Sequence, residues 1–77
     1  MSSRLPAVNA RQVIGALQRV GFVIERIAGS HHIMAHPGDP TRAVTVPFHG
    51  ARDLKVGTLR SILRQARLTV EEFRALL

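Results

Sequence analysis

The stretch from Gly21 to Phe48, GFVIERIAGSHHIMAHPGDPTRAVTVPF, decides the fold. From Phe22 to Ala28 the residues are aromatic or β-branched with Glu25 and Arg26 interspersed, which predicts a strand. Gly29-Ser30 punctuates it, and His31 to His36 forms a second strand. Pro37-Gly38-Asp39-Pro40 predicts a turn-rich loop, and Ala43 to Phe48 a third strand with Val44 and Val46 on one face. Connections this short make the pairing antiparallel. Pro47 has no N–H for a ladder, so the third strand ends there or lies at an edge.

A helix is predicted on each side of this stretch. Upstream, Asn9 caps a helix beginning near Ala10, Gln12 completes a capping box, and Val8 and Val13 close a hydrophobic staple. Val13, Ile14, Leu17 and Val20 form its apolar stripe, Arg11, Gln18 and Arg19 face away, and Gly21 supplies a left-handed stop. Downstream, a second helix starts between Leu54 and Thr58, where Gly57 weakens the first turn, and runs to Ala66. Its core stripe is Val56, Leu59, Ile62, Leu63 and Ala66. A last helix, Val70 to Leu77, follows a capping box of Thr69 and Glu72 with Leu68 and Phe73 as staple. The fold class is therefore α+β, in the order α-β-β-β-α plus a short C-terminal helix. Each strand has one apolar side, so both main helices cover one face of the three-stranded antiparallel sheet and leave the other open.

The 77 residues predict one domain, 1–77, and a chain of this size buries only about 60% of the surface its unfolded form exposes. With no Cys there is no disulfide framework, which fits a reducing, cytoplasmic setting. Polar residues interrupt the first twenty positions, and no segment approaches the ~20 apolar residues of a membrane span, so the chain reads as soluble and untargeted. The net charge of +6 draws nucleic acid, an acidic membrane surface or an acidic protein. All the basic residues except Lys55 are arginines, whose planar fork suits phosphate. Arginine-rich coding bias or simple solubility would give the same count, so charge alone does not choose among these partners.

The four histidines, His31, His32, His36 and His49, are the side chains whose ordinary pKa lies near neutrality. His31 stands just past the Gly-Ser turn, held by the backbone without having to be packed, a position that suits either a reactive group or an idle strand-end residue. A zinc site is disfavoured by geometry. On one strand His32 and His36 lie roughly 13 Å apart, His31 and His32 point to opposite faces, and neither Cys nor paired carboxylates complete a shell. Arg60, Arg64 and Arg67 recur at helical spacing opposite the apolar stripe of the second helix, where they can track a phosphate backbone or simply solvate the helix. Phe22, Phe48 and Phe73 are placed for packing rather than for base stacking, which favours recognition by shape and phosphate.

The motifs Gly21-Phe22, Gly29-Ser30-His31-His32, His36-Pro37, Val44-Thr45-Val46-Pro47 with His49, Lys55, and Gly57-Thr58-Leu59-Arg60-Ser61-Ile62-Leu63 together resemble the HicA family of mRNA interferases, from about Val13 to Phe73. The resemblance implies a fold like that of double-stranded-RNA-binding domains, cleavage of mRNA without a metal or other cofactor, and neutralisation by a HicB-type antitoxin encoded alongside. It places the essential histidine at His31. Three positions depart from the family. Met34 stands for an aromatic residue, Arg67 for a Gly that would close the second helix in a left-handed turn, and the loop from Pro37 to Arg42 is longer than the common Asp-Gly hairpin.

On this reading the chain is a toxin endoribonuclease. RNA carries its own nucleophile, so the enzyme has to move two protons and hold the phosphate. His31 is the general base or acid, and His32 or His49 the second proton carrier. Gly29, Ser30, Lys55, Arg60, Arg64 and Arg67 are the candidate RNA contacts, and no residue is assigned to a metal. Two other classes stay open: a non-catalytic RNA-binding module, and an interaction protein whose open sheet face or edge awaits a partner.

Overall fold

A computed structural model describes residues 4–77. The elements in chain order are α1 (Ala10–Arg19), β1 (Val23–Ala28), β2 (His31–His36), β3 (Asp39–Pro47), α2 (Val56–Ala66) and α3 (Val70–Ala75). The strands form one antiparallel sheet in the order β1-β2-β3. The predicted α-β-β-β-α order with a short C-terminal helix is what the structure shows.

Local chemistry sets the helix ends. The Asn9 carboxamide accepts from the Gln12 N–H at 2.9 Å while the Gln12 side chain accepts from the Asn9 N–H at 2.9 Å, closing the capping box of α1. At its other end Phe22 N–H reaches the Leu17 carbonyl and Gly21 N–H the Gln18 carbonyl, a Schellman turn with Gly21 at φ 98°. The same pair of bonds closes α2, from Leu68 N–H to Leu63 and from Arg67 N–H to Arg64. There the left-handed residue is Arg67, at φ 59° and ψ 43°. Arg67 thus adopts the conformation for which glycine is suited, and its guanidinium meets the Asp39 carboxylate at 3.2 Å. Beside it, Arg42 donates twice to the Ala66 carbonyl, at 3.0 and 2.8 Å, and lies over the Phe22 ring. The end of α2 is therefore fastened to β3 by two arginines.

The core lies between the helices and one face of the sheet. Val13, Ile14 and Leu17 from α1, Leu59, Ile62, Leu63 and Ala66 from α2, Met34, Val44 and Val46 from the sheet, and Phe22 and Phe73 are all buried. Met34 fills the sheet centre with a flexible, unbranched side chain.

Four expectations are corrected. Val56 is 59% exposed, because as the first residue of α2 it lies beyond the part of the helix that rests on the sheet. The third strand begins at Asp39, not Ala43: His36 pairs with Asp39 across the two-residue Pro37–Gly38 turn. The surplus residues of this segment are taken up in an irregularity between the Met34–Val44 and His36–Asp39 pairs, where the Asp39 carboxylate accepts from both the N–H and the hydroxyl of Thr41. Phe22 belongs to the core rather than to β1, and α3 ends at Ala75, followed by turn bonds that carry the chain to Leu77.

Candidate functional site

Gly29 and Ser30 form the two-residue turn between β1 and β2, with Gly29 at φ 60°, so that Ala28 and His31 face each other across it. The Ser30 carbonyl accepts from Phe48 N–H at 2.6 Å, which ties this turn to the end of β3. His31, the first residue of β2, is exposed, and its neighbour on the other side is Pro47. Directly opposed residues hold their Cβ atoms about 4.5–5.5 Å apart. Strand alternation then sorts the faces: His31, Ile33 and Ala35 point to the open side, His32, Met34 and His36 to the helices.

Pro47 is also the border of a groove completed by His49, Arg52, Asp53, Leu54, Lys55 and Thr58. Its floor is the loop between β3 and α2, held in place by a bridge between Asn9 and Asp53 and by a 2.8 Å bond from Leu54 N–H to the Val8 carbonyl. The segment that caps α1 therefore also fixes the loop that carries His49, Arg52 and Lys55. These three side chains are exposed. Sequence reading missed Arg52; its signal was proximity to His49 in the loop before α2, which has no meaning until the loop is known to be pinned to the segment that caps α1.

The other candidates lie elsewhere. His32 stacks on Phe48, ring centroids 4.8 Å apart and planes 27° from parallel, on the helix side of the sheet, and its Nδ1 is buried without a hydrogen-bond partner. Strand alternation thus separates it from His31. His36 is held on both nitrogens, with Nε2 donating to the Val20 carbonyl at 2.9 Å and Nδ1 accepting from Gly38 N–H at 3.1 Å, and it meets Phe22 edge-on. It joins the end of α1 to the β2–β3 turn. Arg60 and Arg64 line a different groove, with Leu5, Leu63, Leu68, Thr69 and Val70, along the outer side of α2. Arg67 is partly exposed and engaged with Asp39. Of the stripe Arg60, Arg64 and Arg67, the first two share this groove while the third is engaged with Asp39, and Lys55 lies apart in the groove of His49.

Among the described residues no group of three or more His, Asp or Glu side chains lies close enough to hold one metal ion. No helix among them is long and apolar enough to cross a membrane. The carboxyls with a resolved shift are structural: Thr41, by its hydroxyl and then its N–H, holds Asp39 below the usual carboxylate range with help from Arg67 and Arg42, and Thr69, by its N–H and then its hydroxyl, holds Glu72 below it.

No match was found among curated proteins. The profile of the family described as the HicA toxin of bacterial toxin-antitoxin systems matches residues 10–68, which takes in α1, the whole sheet, the groove loop and α2. The chain belongs to the HicA toxin family.

Proposed function

We propose that this toxin is a metal-independent endoribonuclease that cuts mRNA, with His31 as a catalytic residue, and that a HicB-type antitoxin inhibits it. The observation that carries the reading is the position of His31: exposed at the start of β2 and paired across the sheet with Pro47, the residue that borders the groove lined by His49, Arg52 and Lys55. That juxtaposition supplies the parts a phosphodiester cleavage needs, namely two imidazoles and fixed cations.

One imidazole removes the proton of the ribose 2′-hydroxyl as its oxygen attacks phosphorus; the P–O5′ bond breaks, and the second imidazole gives its proton to the departing 5′-oxygen. A 2′,3′-cyclic phosphate and a free 5′-hydroxyl result. Lys55 and Arg52 stabilise the charge that builds on the phosphoryl oxygens. His49 is the second proton carrier in preference to His32, since His32 is packed under the sheet against Phe48. Gly29 and Ser30 act by holding His31, and Arg60, Arg64 and Arg67 contribute phosphate contacts away from the reacting atoms.

The test is cleavage of a defined RNA in EDTA by the wild-type chain and by His31→Ala. We expect metal-free cleavage, cyclic phosphate ends, resistance of RNA carrying a 2′-O-methyl group at the cut, and a loss of at least 10²-fold in the variant with unchanged circular dichroism. Binding without cleavage would mark a non-catalytic RNA-binding module, and complete dependence on an added divalent ion would overturn the mechanism.

A further inference from the structure

The two edges of the sheet are built differently. β3 is protected: Pro40 and Pro47 remove two donors, and the Thr45 N–H is occupied by the Gln65 side chain of α2 at 3.2 Å. β1 has no such cover. Every residue of it is exposed, and Val23, Ile24 and Ile27 are 48%, 39% and 58% exposed. Among the described residues no strand lies on its outer side. Soluble proteins normally blunt such an edge with proline, inward-pointing charge or a covering element. Here the protection is confined to mid-strand, where a bulge lies between Ile24 and Arg26 and the charged Glu25 and Arg26 stand, leaving short apolar segments on either side.

The register places Ile24 opposite Met34 and Ile27 opposite His32, so both isoleucines face the helix side. Ile24 borders a groove of about 320 Å³ that it forms with Arg11, Ile14, Gly15 and Gln18 of α1 and with His32 and Phe48, and Ile27 extends the exposed apolar surface along the edge. Gly15 sits in the middle of α1, where glycine weakens a helix. Nothing inside the described chain requires it: a Cβ built there meets no atom within 4 Å. A glycine that costs helix stability and opens a notch into an apolar groove is explained by the close approach of something from outside.

We infer that the β1 edge and the groove beside Gly15 are the docking surface for an extended, acidic segment of the antitoxin, which adds a strand to β1 and seats an apolar side chain over Gly15. Charge selects this occupant. A second copy would bring +6 against +6, whereas an acidic strand finds Arg11 in the groove and Arg26 on the edge strand. RNA is disfavoured because the two rings of the groove, Phe48 and His32, are stacked on each other rather than offered to a base, and Arg11 is its one cation, beside Gln18, Ile14 and Ile24. Main-chain pairing supplies affinity and the groove supplies specificity. A strand added to β1 lies about 10 Å from β2, so an antitoxin anchored there can extend across the open face to His31. This rests on the toxin-antitoxin reading but not on the nuclease mechanism.

The test uses the antitoxin encoded beside the toxin and the full chain carrying His31→Ala, with Gly15→Gln to fill the notch and Ile27→Lys to charge the edge. Each should weaken binding at least tenfold by calorimetry. In the His31 background, hydrogen exchange at Val23–Ala28 should slow on complex formation. Gly15→Ala controls for folding: it should raise the melting temperature by roughly 2–8 °C. In an otherwise wild-type chain, Gly15→Gln should cleave RNA as before and escape inhibition. Unchanged antitoxin affinity in both variants, or β1 amides that exchange equally fast in the complex, would overturn the proposal whether or not RNA is cut. So would loss of self-association or of RNA binding, rather than of antitoxin binding, on substituting Gly15. A chain that fails to cut RNA yet loses antitoxin binding in these variants refutes the nuclease reading and leaves the docking surface standing.

Discussion

Arg67 stands in a left-handed conformation that favours glycine, and two substitutions separate the cost of that conformation from the value of its ion pair. A non-glycine residue there costs about 1–2 kcal/mol. The contact with Asp39, between side chains 60% and 36% exposed, is worth between about 0 and 1 kcal/mol after solvent screening. Arg67→Gly relieves the first and loses the second, so it should leave stability unchanged or raise it by up to about 1–2 kcal/mol. Arg67→Ala loses the ion pair without relief and should cost about 0–1 kcal/mol. Both variants lose the same partner of Asp39, so the gap between them isolates the backbone term, about 1–2 kcal/mol in favour of glycine. In urea, with a slope of about 1 kcal/mol per molar for a chain this small, the midpoints should separate by about 1 M or more. Both variants also lose the same cation, so RNA affinity should fall equally in the two. An alanine variant as stable as the glycine variant would refute the strain argument. Unequal RNA affinities would show that the shape of this turn, rather than its charge, matters to the substrate.

Lys55→Ala should weaken RNA binding and lower the slope of log affinity against log salt by about 0.7, the contribution of one phosphate on a single strand; an unchanged slope removes Lys55 from the phosphate contacts. Asp39→Asn should lower stability at neutral pH but not in acid. Because the folded carboxyl is held below its unfolded pKa of about 3.9, its contribution is present above that value and lost as pH falls through the folded pKa. Thermal melts of the two proteins should therefore converge once the pH has fallen below the folded pKa of Asp39, and a difference that persisted there would mean that the Thr41 and Arg67 contacts do not depend on the charge.

What was legible in the sequence was local. The Asn9–Gln12 and Thr69–Glu72 capping boxes need only three-residue spacings, and both form. Alternation along His31-His32 set the two rings on opposite faces without any knowledge of what lies above or below. The misreadings arose where a remote contact overrides a local signal. Asp39-Pro40 has the composition of a turn, yet Asp39 is paired with His36, and the irregular segment after it aims Arg42 at the end of α2. Val56 fits the apolar period of α2, but period does not say how far the sheet extends beneath the helix. The His49, Arg52 and Lys55 cluster was only partly visible, because it depends on the loop being pinned to Asn9 and Val8, more than forty residues away in sequence.

The arrangement explains how a small chain with one modest core can keep His31, the histidine proposed as catalytic, accessible. His36 and His32 are used as structure, one bridging α1 to a turn and the other stacked on Phe48, and both stand half-buried on the helix side of the sheet. His31 and His49 stay in solvent because a tight glycine turn and a pinned loop fix the backbone on either side of Pro47, so their placement does not require their side chains to be packed. A catalytic group held in this way can be replaced with little effect on the fold. An antitoxin that reaches the open face from the unprotected β1 edge would cover the histidine without having to compete for the core, which would join inhibition to the least protected part of the sheet.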